Sequence, residues 1–168
     1  MIDHRYCQLM THYNQWMNHK LYALCAELSD ADRKHDRGAF FKSIHGTLNH
    51  LLYGDRAWMS RFTGIPLTGT RVAQELYTDF AELWHERNLT DRAMIEWADN
   101  LSDAWLAQPF EYTSNIDRKA RVLPTWVLVT HLFNHQTHHR GQLTTLLSQL
   151  GYDPGVTDIP WLPNLYDD

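Results

Sequence analysis

The stretch T-H-L-F-N-H-Q-T-H-H-R-G-Q, residues 130–142, decides how this chain is read. It lies within an apolar-periodic run that begins near Pro124, a residue suited to the first turn of a helix, and stops at Gly151. Each helical residue advances about 100° around the axis. With Leu128 and Leu146 set in one direction, His135 and His139 fall on either side of it, each within ~20°. His131 and Gln142 lie at the edge of that face, and His138 is further round. Thr130, Asn134, Thr137, Thr145 and Ser148 make the polar side. Two inward imidazoles one turn apart can share a metal ion at ~2.0–2.1 Å each. The alternative is one hydrogen-bonded core histidine beside a solvated one.

Outward from that helix the pattern is helical almost throughout. Residues 3–28 carry Tyr6, Leu9, Met10, Tyr13, Trp16, Met17, Leu24 and Leu28 at three/four spacing, with Asp3 as a cap. Residues 29–40 read as a polar connection. Residues 41–62 read as a second helix starting near Ser43, with Ile44, Leu48, Leu51, Leu52, Trp58, Met59 and Phe62 on one face. A Gly/Pro/Thr connection at 63–70 leads to a third helix over about 71–101, which Asn88–Asp91 would bend or break. Val72, Leu76, Phe80, Leu83, Trp84, Met94, Ile95, Trp97 and Leu101 form its apolar set. Ser102 caps a short turn, and FEYTS and KARVL around SNIDR predict a small hairpin near 110–123. The Pro- and Gly-rich tail is expected to run extended over the surface. Four long amphipathic helices in 168 residues predict an all-α fold, a four-helix bundle in a single domain spanning 1–168. The long links between helices call for at least one crossover connection.

Lys plus Arg number 15 against 20 Asp plus Glu, a net charge of −5. That balance argues against a nucleic-acid binder and against a polybasic membrane-surface protein. No apolar run approaches ~18 residues, and MIDHRYCQLMTHYN has no signal-peptide pattern, so a cytoplasmic protein is expected. Cys7 and Cys25 are 18 residues apart on one helix. At ~27 Å they are too distant to pair, and both are expected to stay reduced.

A third metal ligand must come from another helix. On the second helix, His45 shares its side with Asn49, Tyr53, Arg56 and Ser60, which reads as the solvent side. His50 shares its side with Gly46, Thr47, Gly54 and Ala57, small residues that admit a neighbouring helix and a ligand. Asp55 sits in the middle of the apolar face, where a carboxylate needs a partner: an arginine, a tryptophan N–H or a ligand histidine. His4, His12, His19, His35 and His85 read as solvated.

Y-N-Q-W-M-N at 13–18, S-I-H-G-T-L-N-H-L-L-Y-G-D-R-A-W at 43–58 and H-L-F-N-H-Q-T-H-H-R-G-Q at 131–142 together resemble the DinB/YfiT-like family of metal-binding four-helix bundles. L-S-Q-L-G at 147–151 and TDIPW in the tail extend the likeness over nearly the whole chain. Carried over by position, the family's metal-binding histidines fall on His50, His135 and His139, the three that the helical wheels select. The resemblance also implies an up-down-down-up bundle, a homodimer, and zinc or nickel as the ion.

Three neutral imidazoles leave a divalent ion its full charge and an open position. The resemblance then implies a metal-dependent enzyme acting on a small-molecule substrate. It would be a thiol-dependent transferase or isomerase with a low-molecular-weight thiol cosubstrate, or a metal-assisted hydrolase. The alternative is a non-catalytic metal-binding or structural dimeric stress protein. Arg140, beside a ligand, reads as an anchor for an acidic substrate or as an ion-pair partner. Gln142 reads as a hydrogen-bonder to a ligand. His131 or Asp55 as a fourth ligand would point to a closed structural site.

Overall fold

The structure, a computed structural model, describes residues 1–67, 75–115 and 117–165. Helix α1 spans His4–Glu27, α2 Asp30–Lys34, α3 Ile44–Thr63, α4 Phe80–Asp99, α5 Asp103–Leu106 and α6 Thr125–Gln149. Strands β1, Pro109–Thr113, and β2, Ala120–Pro124, pair antiparallel with Phe110 opposite Leu123. A 3-10 turn covers Ile159–Trp161 in the tail. Caps explain the starts. Asp3, Ser43, Asp79 and Ser102 each accept a hydrogen bond from the backbone N–H three residues on, which satisfies an otherwise orphaned donor. Gly64 ends α3 in the left-handed region, at φ 73°, where a side chain would be strained.

Contacts between helices set their directions. At one end of the α1–α4 pair Gln8 donates to Asp99, and at the other Tyr22 stacks on Phe80, so the two run antiparallel. His50 meets His139 and Trp58 meets His131, so α3 and α6 are antiparallel as well. Asp55 with Arg87 and Phe62 with Trp97 make α3 and α4 parallel. Tyr6 with Phe133 and Asn14 with Arg140 do the same for α1 and α6. The bundle is therefore up-down-down-up, as the resemblance implied. The core between these helices holds Met17, Leu21, Leu48, Leu52, Leu83, Met94, Leu132 and Leu143, all buried. No helix among the described residues is long and apolar enough to cross a membrane.

Several sequence expectations need correction. The polar connection at 29–40 contains α2, nucleated by the Ser29 cap. The third helix starts at Phe80 rather than near 71. Leu76 precedes it, because the Asn49 side-chain oxygen accepts from the Leu76 and Tyr77 N–H groups and Asp79 then caps the helix. Val72 lies outside the described residues. Asn88–Asp91 do not interrupt α4, which is continuous. Pro124 stands just before the first helical residue of α6. His45 is not solvated: the segment at 75–79 covers that side of α3, and the buried ring meets the Tyr77 carbonyl oxygen at 2.9 Å. His4 is paired with Asp103 at 3.0 Å. The hairpin, the Asp3 cap and the free, buried cysteines follow expectation. Burial pushes both thiols up to about 12, so neither is a nucleophile at neutral pH.

The core is also charged. Arg87 binds Asp55 at 2.7 Å and Asp91 at 2.9 Å, and all three are at most 1% exposed. Asn18 of α1 donates to Asp91, and Gln136 of α6 donates to Asp55 and to the Leu51 carbonyl. Burial pushes the Asp55 carboxyl up to about 6, while the Arg87 guanidinium pulls it down. Removing the arginine would strand two carboxylates in a low-dielectric interior. Arg87→Met is expected to lower unfolding free energy by ~3–5 kcal/mol in urea titrations. Arg121→Met, which breaks the exposed pair with Asp117, is expected to leave it unchanged within error.

Candidate metal centre

Helices α3 and α6 cross where glycine lies on one and histidine on the other. A Cβ on Gly54 would stand 2.8 Å from Cε1 of His135, closer than real Cβ contacts come. The bare backbone of α3 therefore admits the His135 ring. A Cβ on Gly46 would stand 2.3 Å from the Phe41 carbonyl oxygen. That glycine lets the turn before α3 fold back, so that Phe41 stacks on His50 with ring centroids 3.7 Å apart.

The result is a cluster of three imidazole nitrogens. His50 Nε2 lies 3.0 Å from His135 Nε2 and 3.1 Å from His139 Nε2. Among the described residues these three form the one group of histidine, cysteine and carboxylate side chains close enough to share an ion. His139 Nδ1 meets Gln142 Oε1 at 2.8 Å. An amide oxygen only accepts, so Nδ1 carries the proton and the Nε2 lone pair of His139 is bare. A proton on His50 Nε2 would serve one of the two short contacts and leave lone pairs facing across the other. A cation serves both. Nitrogens ~2.05 Å from one ion lie roughly 2.9 Å apart at right angles and roughly 3.3 Å apart in a tetrahedron, a range that includes both observed spacings.

Electrostatics agree. Burial, then the neighbouring His139, lowers His50 to about 4. Burial, then His139 and His50, lowers His135 to about 3. Burial also lowers His139, against the pull of the Gln142 hydrogen bond. All three rings are neutral at pH 7, the state in which imidazole binds metal.

His50, His135 and His139 are thus brought together as the sequence predicts, and Gln142 touches His139. Asp55 points instead to Arg87 and Gln136. His131 is exposed, its ring centroid 5.9 Å from that of His135 and 5.3 Å from that of Trp58. Neither joins the three-histidine group. Arg140 is neither a substrate anchor nor an ion-pair partner. It is 3% exposed, donates to Asn14 and lies over the Tyr13 ring, because α1 covers that side of α6. Two contributors were not singled out from sequence: Phe41 and Gln136. The exposed-looking Phe40–Phe41 pair in a polar link was a signal for the first. The second had only the requirement that Asp55 find a partner.

A hollow of about 430 Å³ lies beside His50, lined by Phe41, Lys42, Asn49, Tyr53 and Glu75 among others. A larger one of about 870 Å³, between α3 and α4, contains no histidine. The site chemistry favours the smaller one, since size without a reactive group defines only space.

Comparison with known proteins agrees with this architecture. A crystal structure of a DinB-like protein from Bacillus cereus ATCC 10987 superposes with a TM-score of 0.63 at 22% identity, covering 83% of this chain and 90% of that one. Protein DinB of Bacillus subtilis (strain 168) is 24% identical over 161 residues, 87% of each chain. The DinB family model matches residues 1–167. Over that length, with the bundle and its histidine cluster in place, the chain belongs to the DinB family.

Proposed function

We propose that the chain is a divalent-metal-dependent enzyme, with His50, His135 and His139 as the protein ligands and zinc or nickel as the ion. The observation that carries this reading is the pair of 3.0 and 3.1 Å contacts among three neutral Nε2 atoms with, among the described residues, no acidic fourth partner. Structural zinc sites usually close with four protein ligands, whereas catalytic ones keep three and a free position. A divalent ion bound there lowers the pKa of water or of a thiol and so makes a nucleophile available at neutral pH. The protein's own part is to hold the rings: Gln142 fixes the His139 tautomer, Gly54 seats His135, and Phe41 packs over His50. The hollow beside His50 offers room for a small substrate, and a thiol cosubstrate or a water are the two sources of nucleophile. A homodimer belongs to the same proposal.

Mass spectrometry of tag-free protein should find about one zinc or nickel per chain, and little in His139→Ala. No ion in either, after incubation with both metals, would overturn the reading. Gly54→Ala is expected to keep the fold by circular dichroism and weaken metal affinity by tenfold or more, because its new methyl displaces the His135 ring. The metal-free protein should also be acid-sensitive. His50 and His135 titrate near 4 and 3 when folded and near ~6.5 when unfolded, so the unfolded chain binds protons first. Their contribution to stability is full above pH 6.5 and lost as pH falls through 4 and 3. The melting temperature of EDTA-treated protein should fall from pH 7 to pH 5, and His50→Gln should fall less.

A further inference from the structure

We propose that Arg61, which lies along α3 from the three-histidine centre, holds the anionic end of the substrate, and that the substrates are small organic carboxylates. This rests on the proposed function for the reacting end and adds the substrate class.

Arg61 is a cation without a counter-charge. Among the described residues no carboxylate lies within ion-pair distance of it, although Arg56 and Arg87 on the neighbouring faces are each paired. Among the described residues its single hydrogen bond is a long one, 3.4 Å, to the Ala57 carbonyl of its own helix. Partial burial weakens its hold on the charge. An arriving anion would offset that cost.

The guanidinium lies 4.7 Å from the Trp58 ring centroid and 5.9 Å from that of Tyr112. The two rings flank the guanidinium, and among the described residues its N–H groups meet only the Ala57 carbonyl. The planar N–H edge of a guanidinium matches a carboxylate with two parallel hydrogen bonds.

Position connects it to the centre. Residues 50 and 61 are three turns apart on nearly the same side of α3. The contact with Ala57 shows the side chain leaning back toward His50. The guanidinium therefore sits ~10 Å along the helix from the histidines. A row of ring contacts spans the interval, Trp58 against His131 at 5.3 Å and His131 against His135 at 5.9 Å. A ligand that fits has a charged end, an apolar body about that long, and a reacting group at the metal.

Two titrations test this. The first uses metal-free protein and follows the Trp58 indole N–H by NMR. 3-Phenylpropionate should bind at least about fivefold more tightly than 3-phenylpropanamide. The preference should vanish in Arg61→Met, which keeps the packing on Trp58, and survive in part in Arg61→Lys. The second uses zinc-loaded protein, where suberic acid monohydroxamate should bind about tenfold more tightly than octanohydroxamate, again only with Arg61 present and with the melting temperature unchanged. Equal affinities within both pairs, or preferences that persist in Arg61→Met, overturn the proposal. If neither hydroxamate binds while the phenylpropionate preference holds, the metal reading falls and the anion site stands.

Discussion

Among the described residues four charged side chains, two acidic and two basic, lie buried inside this bundle. Arg87 pairs with both Asp55 and Asp91, while Arg140 donates to Asn14, and all four charged side chains are at most 3% exposed. Isolating any one would cost several kcal/mol. The helices therefore have little freedom to slide. Arg87 must stand level with Asp55 on α3 and one turn before Asp91 on its own helix. Asn18 and Asn14 of α1 must meet Asp91 and Arg140. Hydrophobic packing drives the collapse but is tolerant of register; buried charge is not.

The same constraint reaches the three-histidine cluster. Asp55 follows Gly54, and Gln136 follows His135. The hydrogen bond from Gln136 to Asp55 and the seating of His135 against Gly54 are thus two halves of one α3–α6 contact. Whatever fixes the buried charges also fixes how closely His50 approaches His135 and His139.

Much of this was legible in the sequence because it depends on local rules. Helical period placed His135 and His139 inward, small residues singled out the His50 side, and caps marked Asp3, Ser43 and Ser102. What was not legible depends on which chain segment covers which face. His45 reads as solvated because its neighbours are polar, but those polar groups serve the segment at 75–79 and helix α4. The third helix reads as longer than it is because Leu76 fits an apolar stripe, while Asn49, far away in sequence, holds that backbone out of the helix and Asp79 caps its start. Arg140 and Arg61 show the same limit. Beside His139, Arg140 reads as a substrate anchor or an ion-pair partner, but α1 buries it against Asn14 and Tyr13; Arg61, three turns from His50, has no carboxylate partner among the described residues.

Nothing in the frame waits for a metal. In a small zinc domain the ion's binding energy is folding energy, and the apo chain unfolds. Here α3 and α6 are joined by Gln136 and Asp55, by Trp58 packed on His131, and by a core that extends well beyond the histidines. The rings are held neutral and 3 Å apart by packing, by Gly54 and by the Gln142 hydrogen bond. An ion seated there would join a structure already closed on its inner side. It would not need a fourth side chain to secure the fold, so its remaining positions could face outward, toward whatever lies between it and Arg61.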